Sequence, residues 1–139
     1  MSAFHPLTAG SVEEISKILG EAGTGSDISR YFNEKGIIDD SGESTKWRRL
    51  NTVFLNAQKS TNSSNQLLDF IKSFLSPTRF VNKRDEFEDH RDKLNRILML
   101  EGLEYGRDGE FRHIKKAATL DEAEARSKGV RDKLISRNT

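Results

Sequence analysis

Arginine and histidine with five residues between them are a pair that could act on RNA, because a guanidinium binds phosphate and an imidazole moves protons near neutral pH. The pattern occurs at Arg84 to His90 and again at Arg107 to His113. Each copy has an opposing feature. Four carboxylates, Asp85, Glu86, Glu88 and Asp89, lie between Arg84 and His90 and would repel a phosphate, and the second copy spans a turn glycine, Gly109. A second chemistry is charge alone. Lys46, Arg48 and Arg49, with Arg112, Lys115 and Lys116, could neutralise nucleic-acid phosphates while Trp47 stacks on a base. The alternative for the first set is a solvated helix face with a core tryptophan.

Other chemistries find no residues. His5, His90 and His113 have no second ligand at recognised metal spacing, so no metal and no cofactor is expected. Gly23-Thr24-Gly25 lacks the preceding strand and the GK[S/T] ending of a phosphate loop, and no Gly-x-Ser-x-Gly elbow occurs. The carboxylates of 84–96 alternate with Arg84, Arg91, Lys93 and Arg96, which reads as surface ion pairs. With no cysteine, disulfides, thiolate metal sites and a cysteine nucleophile are excluded.

The whole-chain balance narrows the partners. At 139 residues and net charge +1, the chain fits one domain with no global pull on nucleic acid or membrane, so any basic site must be local. Hydrophobic residues at 34% against 32% charged favour one core fed by amphipathic helices. No apolar run approaches the roughly 20 residues of a spanning helix, and residues 1–6 lack the blocks of a signal peptide. A soluble cytoplasmic protein with no membrane partner is expected.

The elements that must position these residues are legible in order. Ser11 and Glu14 have capping-box spacing before Val12, Ile15, Ile18 and Leu19, a stripe ending in Gly20 to Gly23. Ile28, Tyr31 and Phe32 predict a second short helix ended by Gly36, followed by a polar loop over 39–44. A third helix over 45–59 turns Trp47, Leu50, Val53, Phe54 and Ala57 inward. Ser63 with Gln66 caps a fourth, whose Leu67, Leu68, Phe70, Ile71, Phe74 and Leu75 make it the most apolar and central; Pro77 closes it, and Phe80 and Val81 anchor the connection. Asn82 caps a fifth helix with Phe87, Leu94, Ile97 and Leu98 on its apolar face, broken by Gly102.

A hairpin follows. Leu103 to Arg107 and Glu110 to Ile114 flank Asp108-Gly109, a dipeptide suited to a two-residue type I′ turn that sets Leu103 opposite Ile114 and Tyr105 opposite Arg112. Thr119 and Glu122 then box a final helix with Leu120, Ala123, Val130 and Leu134 inward, interrupted by Gly129. The fold class expected is mainly α: one small helical domain of about six helices over 1–118, with the hairpin at 103–114. Residues 119–139 are a C-terminal helix, readable as a connector to a further effector domain. Helices before a hairpin also fit a winged-helix-like arrangement, with Arg107, Arg112, Lys115 and Lys116 as a basic wing.

One ordered set of residues is distinctive. Phe70-Ile71, Pro77-x-Arg79-Phe80, Phe87, Arg91, Leu94-Asn95-x-x-Leu98, Gly102-Leu103, Asp108-Gly109 and Thr119-Leu120-Asp121-Glu122-Ala123, with Arg126, Leu134 and Arg137, resemble the N-terminal region of bacterial abortive-infection proteins of the AbiJ type. Those proteins carry a C-terminal HEPN-like domain. The resemblance implies a non-catalytic sensing or regulatory domain in anti-phage defence, partnered by a HEPN-like effector domain or protein, and transfers no catalytic residue. Two alternatives stand beside it: nucleic-acid binding through Lys46, Arg48, Arg49, Arg112, Lys115 and Lys116, and a small HEPN-type ribonuclease using Arg84 and His90.

Overall fold

The computed structural model describes residues 4–127, which are mainly helical with one two-stranded antiparallel hairpin. Helices α1 (Ala9–Glu21), α2 (Gly25–Glu34), α3 (Lys46–Thr61) and α4 (Asn65–Phe74) precede a 3₁₀ turn, Pro77–Phe80. Then come α5 (Arg84–Leu98), a second 3₁₀ turn (Met99–Glu101), β1 (Leu103–Tyr105) and β2 (Phe111–His113). Residues 120–127 are helical and form α6. Val130, Gly129, Leu134 and Arg137 lie outside the described residues. Among the described residues no helix is long and apolar enough to cross a membrane.

The apolar stripes meet where their spacing sends them. Val12, Ile15 and Leu19 of α1, Ile28 and Phe32 of α2, and Leu50, Val53 and Phe54 of α3 join Leu67, Leu68, Phe70, Ile71 and Phe74 of α4 in one core. Phe70 is its hub, with ring centroids 5.2 Å from Phe54, 5.3 Å from Phe32 and 5.0 Å from Phe74. Such aromatic pairs add to the burial of apolar area, the main stabilising term here. Phe87, Leu94 and Leu98 of α5 seal the other side. A satellite cluster of Met99, Ala117 and Ala123 seats α6, helped by the Ser127 hydroxyl on Asp92.

Two polar side chains knit the helix ends together. Arg79 donates to the carbonyls of Ala22, just past the end of α1, and of Phe74, the last residue of α4, and pairs with Asp27 at 3.3 Å. A cation at two helix C-termini meets the negative ends of both dipoles. Its guanidinium also lies 4.5 Å over Phe74, and a Cβ on Gly23 would come 2.6 Å from the Phe74 ring, so this corner admits no larger residue. Asp27 is held below the usual carboxylate range, chiefly by the Thr24 backbone N–H, which completes the α2 capping box. Gln58, buried in α3, exchanges two hydrogen bonds with Leu7, while Thr8 N–H donates to Glu101.

That docking of the N-terminal arm overturns the expected cap. The first helix begins at Ala9 behind Thr8, whose hydroxyl accepts from Ser11 N–H, instead of behind Ser11 and Glu14. Smaller shifts occur elsewhere. Lys83 and not Asn82 precedes α5, with no side-chain cap; Ser64 precedes α4, its hydroxyl drawn off to the His5 carbonyl, while Ser63 accepts from Asn65 N–H. Val81 does not anchor the connection, being 75% exposed while Phe80 turns inward, and Leu120 is 64% exposed because α6 presents Ala123 to the core. Trp47 is only half-buried. Glu122 N–H donates to Thr119 as expected, though the Glu122 carboxylate takes the N–H of Ala118.

The hairpin differs by one residue. Leu103 faces His113, Glu104 faces Arg112 and Tyr105 faces Phe111, and Gly106 N–H still bonds Glu110. The turn is therefore a three-residue loop, Arg107-Asp108-Gly109, with Gly109 at φ +80° and Asp108 not left-handed. A type I′ turn needs positive φ at both central residues, whereas a type I turn closed by a left-handed glycine needs it once. Side-chain period decides between them. The observed register puts Phe111 beside the buried Tyr105, ring centroids 4.8 Å apart, where the two-residue turn would have put Arg112.

Tyr105 binds the hairpin to the helices. Its N–H donates to Asn95 Oδ1 at 2.7 Å, its carbonyl accepts from Asn95 Nδ2 at 3.0 Å and Arg91 at 3.2 Å, and its hydroxyl donates to the Leu75 carbonyl at 2.8 Å. Burial pushes that phenol well above its ordinary range, so it stays a neutral donor. Asn95→Leu keeps the branched shape but strands buried backbone groups of Tyr105, and should lower the unfolding free energy from urea denaturation by about 2–3 kcal/mol, whereas a loss below ~0.5 kcal/mol would show the pair to be dispensable.

Candidate functional site

The helix geometry separates Arg84 from His90. Six residues at about 100° each leave the two side chains roughly 120° apart around the α5 axis. Arg84, Glu88 and Arg91 share one face, with Phe87 beside them. His90 turns to another face, its ring edge-on to Phe80 with centroids 5.8 Å apart and its Nδ1 buried without a partner among the described residues. Burial pushes His90 below its ordinary pKa of 6.5, against the opposing pull of Asp89 and Glu86. The second pair is also divided: Arg107 turns to Glu88, and His113 stacks on Phe4 at 4.8 Å.

What does converge is a cleft between the 3₁₀ turn at Pro77, the start of α5 and the hairpin turn. Pro77, Phe80, Val81, Arg84, Phe87, Glu88 and Arg107 line a space of about 230 Å³. Among the described residues Glu88 is the only carboxylate on its wall. It pairs with Arg91 at 3.2 Å through one oxygen and with Arg107 at 2.9 Å through the other, although the Arg107 N–H is not directed at it. Arg91 is 4% exposed and its Nε has no partner among the described residues. The sequence offered no signal for this cleft beyond the i, i+4, i+7 spacing of Arg84, Glu88 and Arg91, because Arg107 arrives from the hairpin.

The residues expected to meet nucleic acid fall on two parts of the fold. Lys46, Arg48 and Arg49 open α3. Lys46 donates to the Gly23 carbonyl, and Arg49 is drawn into the scaffold by Asp39 at 2.8 Å, the Gly25 carbonyl and Ser29. Asp39 is correspondingly held below the usual range despite its partial burial, by Ser41 and Arg49. The half-buried Trp47 has Lys17 of α1 5.1 Å and Arg48 5.4 Å from its ring, and edges a cleft of about 400 Å³ shared with Gly20, Glu21 and Lys46. The α3 start has no side-chain cap and no acidic residue in its first turn, so basic groups sit at the positive end of a helix dipole. Lys17, far from this segment in sequence, is brought there only by the packing of α1 on α3.

The other three residues lie on or after the hairpin. Arg112 is held by Asp108, which in turn is kept below the usual carboxylate range by that guanidinium. Lys115 and Lys116 are exposed, and the Lys115 carbonyl accepts from Arg126 of α6. No group of three or more His, Cys, Asp or Glu residues arranged to hold a metal occurs among the described residues.

Comparison with known protein families, with characterised proteins and with solved structures finds no match to the chain.

The burial of His90 gives a signed pH effect. Its folded pKa lies below the unfolded value, so the folded chain binds fewer protons; this stabilisation is full above the ordinary value and is lost as pH falls through 6.5 toward the folded value. Denaturation midpoints measured from about pH 7.5 down to about pH 5.5 should fall less steeply for His90→Gln than for the wild type, and parallel slopes would refute the burial argument.

Proposed function

We propose that the chain is a non-catalytic sensing or regulatory domain of a bacterial anti-phage protein of the abortive-infection type, acting in the cytoplasm on a HEPN-like effector domain or partner. One observation carries this reading. The residues that resemble the AbiJ-type N-terminal region are those on which the fold turns: Arg79 ties the ends of α1 and α4, Arg91 and Asn95 clasp Tyr105, and Gly102 and Gly109 hold the left-handed positions of the hairpin. A resemblance concentrated in such positions is one of scaffold, and it leaves recognition to other residues on the surface. The divergence of Arg84 from His90 supports the same reading. Labelled single-stranded RNA incubated with the chain should stay intact, equally with wild type and His90→Ala; cleavage that His90→Ala abolishes would instead establish the small ribonuclease.

A second reading, a nucleic-acid-binding domain, is favoured by the Trp47 ring with Lys17, Lys46 and Arg48 about it. The chain has one tryptophan, so its emission reports on this cleft alone. For this reading to hold, a single-stranded oligonucleotide must quench Trp47 at about 50 mM salt, lose the effect by about 300 mM, and fail to quench Arg48→Glu. Emission that does not respond at low salt removes it.

A further inference from the structure

The cleft between Pro77 and the hairpin turn has a charge imbalance and a shape that together specify an occupant. Three arginines surround it or stand directly behind its wall: Arg84, Arg107 and, through Glu88, the buried Arg91. A single carboxylate, Glu88, stands against the three and pairs with Arg91 and Arg107 only. The other acidic residues of the first turns of α5 point away, because Asp85, Glu86 and Asp89 lie about 100–200° around the helix from the Arg84 face, and Asp89 is engaged with Lys93 at 3.2 Å. Asp108, next to Arg107, is taken by Arg112. The local excess is therefore two positive charges, beside the side chains of Phe80 and Phe87. Guanidinium groups in excess of their counter-charge beside an apolar wall suit an oxyanion, which accepts charge-assisted hydrogen bonds from them.

The opposite wall is apolar. Pro77 and Val81 face the same space, and Val81 is exposed to it. The volume, about 230 Å³, lies below the roughly 300–1,000 Å³ of drug-sized sites, which limits the occupant to a small molecule or the end of a larger one. We propose that this cleft binds a phosphomonoester carried on a small apolar body, with Arg84 and Arg107 taking the phosphate and Pro77 and Val81 meeting the body. A phosphate monoester carries about −1.5 to −2 charges at neutral pH, which matches the excess, where a carboxylate supplies half of it. The inference deepens the reading of the chain as a sensing domain, and rests on that reading for its biological role: the phosphorylated ligand is what the domain would sense.

Phenyl phosphate is the probe, titrated into the ¹⁵N-labelled chain at low ionic strength, with inorganic phosphate and phenol in parallel. One saturable set of NMR shifts should involve the Nε–H groups of Arg84 and Arg107 and the backbone of Phe80, Val81 and Glu88. Inorganic phosphate should bind at least about fivefold, and phenol at least about tenfold, more weakly. Arg84 is exposed and has no carboxylate within ion-pair distance among the described residues, so its replacement leaves the fold intact. Arg84→Gln should weaken phenyl phosphate by about tenfold, the effect of one charged hydrogen bond, with Arg84→Lys recovering part and Arg48→Gln changing nothing. Shifts centred elsewhere, an unchanged affinity in Arg84→Gln, or phenol binding as well as phenyl phosphate would overturn the proposal. RNA cleavage dependent on His90 would sink the sensing reading while leaving such binding in place, and an unresponsive cleft beside intact RNA would sink this inference alone.

Discussion

The amide and carbonyl of Tyr105 have to be satisfied, and among the described residues no third strand is there to do it. In the observed register Gly102 and Gly106 bond across the hairpin to Ile114 and Glu110, so the backbone groups of Tyr105 point to the outer edge of β1. An isolated two-stranded hairpin is at best marginally stable, and an open edge invites pairing with another chain. Here α5 closes the edge with side chains. Asn95 offers one acceptor and one donor to the same residue, and Arg91 adds a second donor. With the Tyr105 hydroxyl fixed on Leu75, the hairpin cannot slide along α5 without stranding at least three buried polar groups.

That clasp also sets the electrostatics of the neighbouring cleft. Arg91 is buried because Tyr105 needs its donor, and once buried it needs Glu88. Glu88 then faces outward with a free oxygen that Arg107 reaches from the hairpin turn. A network of this kind is weak evidence for stability, since desolvation offsets most of the Coulombic gain. Its effect is to place guanidinium groups at fixed positions beside apolar walls. The network thus serves the scaffold at Tyr105 and reaches the cleft wall at Glu88 and Arg107.

Helices and their inward faces were legible from local spacing because a helix buries a stripe fixed by its own period. The α4 run from Leu67 to Phe74, the Thr24 to Gly36 unit and the break at Gly102 all stand where the pattern put them. Caps were less legible. Ser11 and Glu14 have the right spacing, yet Thr8 caps α1 because Leu7 and Thr8 are held by Gln58 and Glu101, 51 and 93 residues away. The candidate site was legible only in fragments: Arg84 was noticed for its distance from His90, whereas its actual companions, Glu88 and Arg107, are set by a helix face and a turn. The basic residues at the start of α3 were visible, but not that Arg49 is drawn into Asp39 or that Lys17 crosses to Trp47.

The sequence by itself determined the mainly helical class, the central helix and the presence of a hairpin, because each of these follows from periodicity and glycine placement within a few residues. The tertiary structure alone decided the hairpin register, the arm docking and the charge of the cleft. A one-residue slip in the turn is nearly neutral locally, since Asp108-Gly109 suits either loop. Only the burial of Tyr105 with Phe111 against Asn95, a contact between elements, makes one register win.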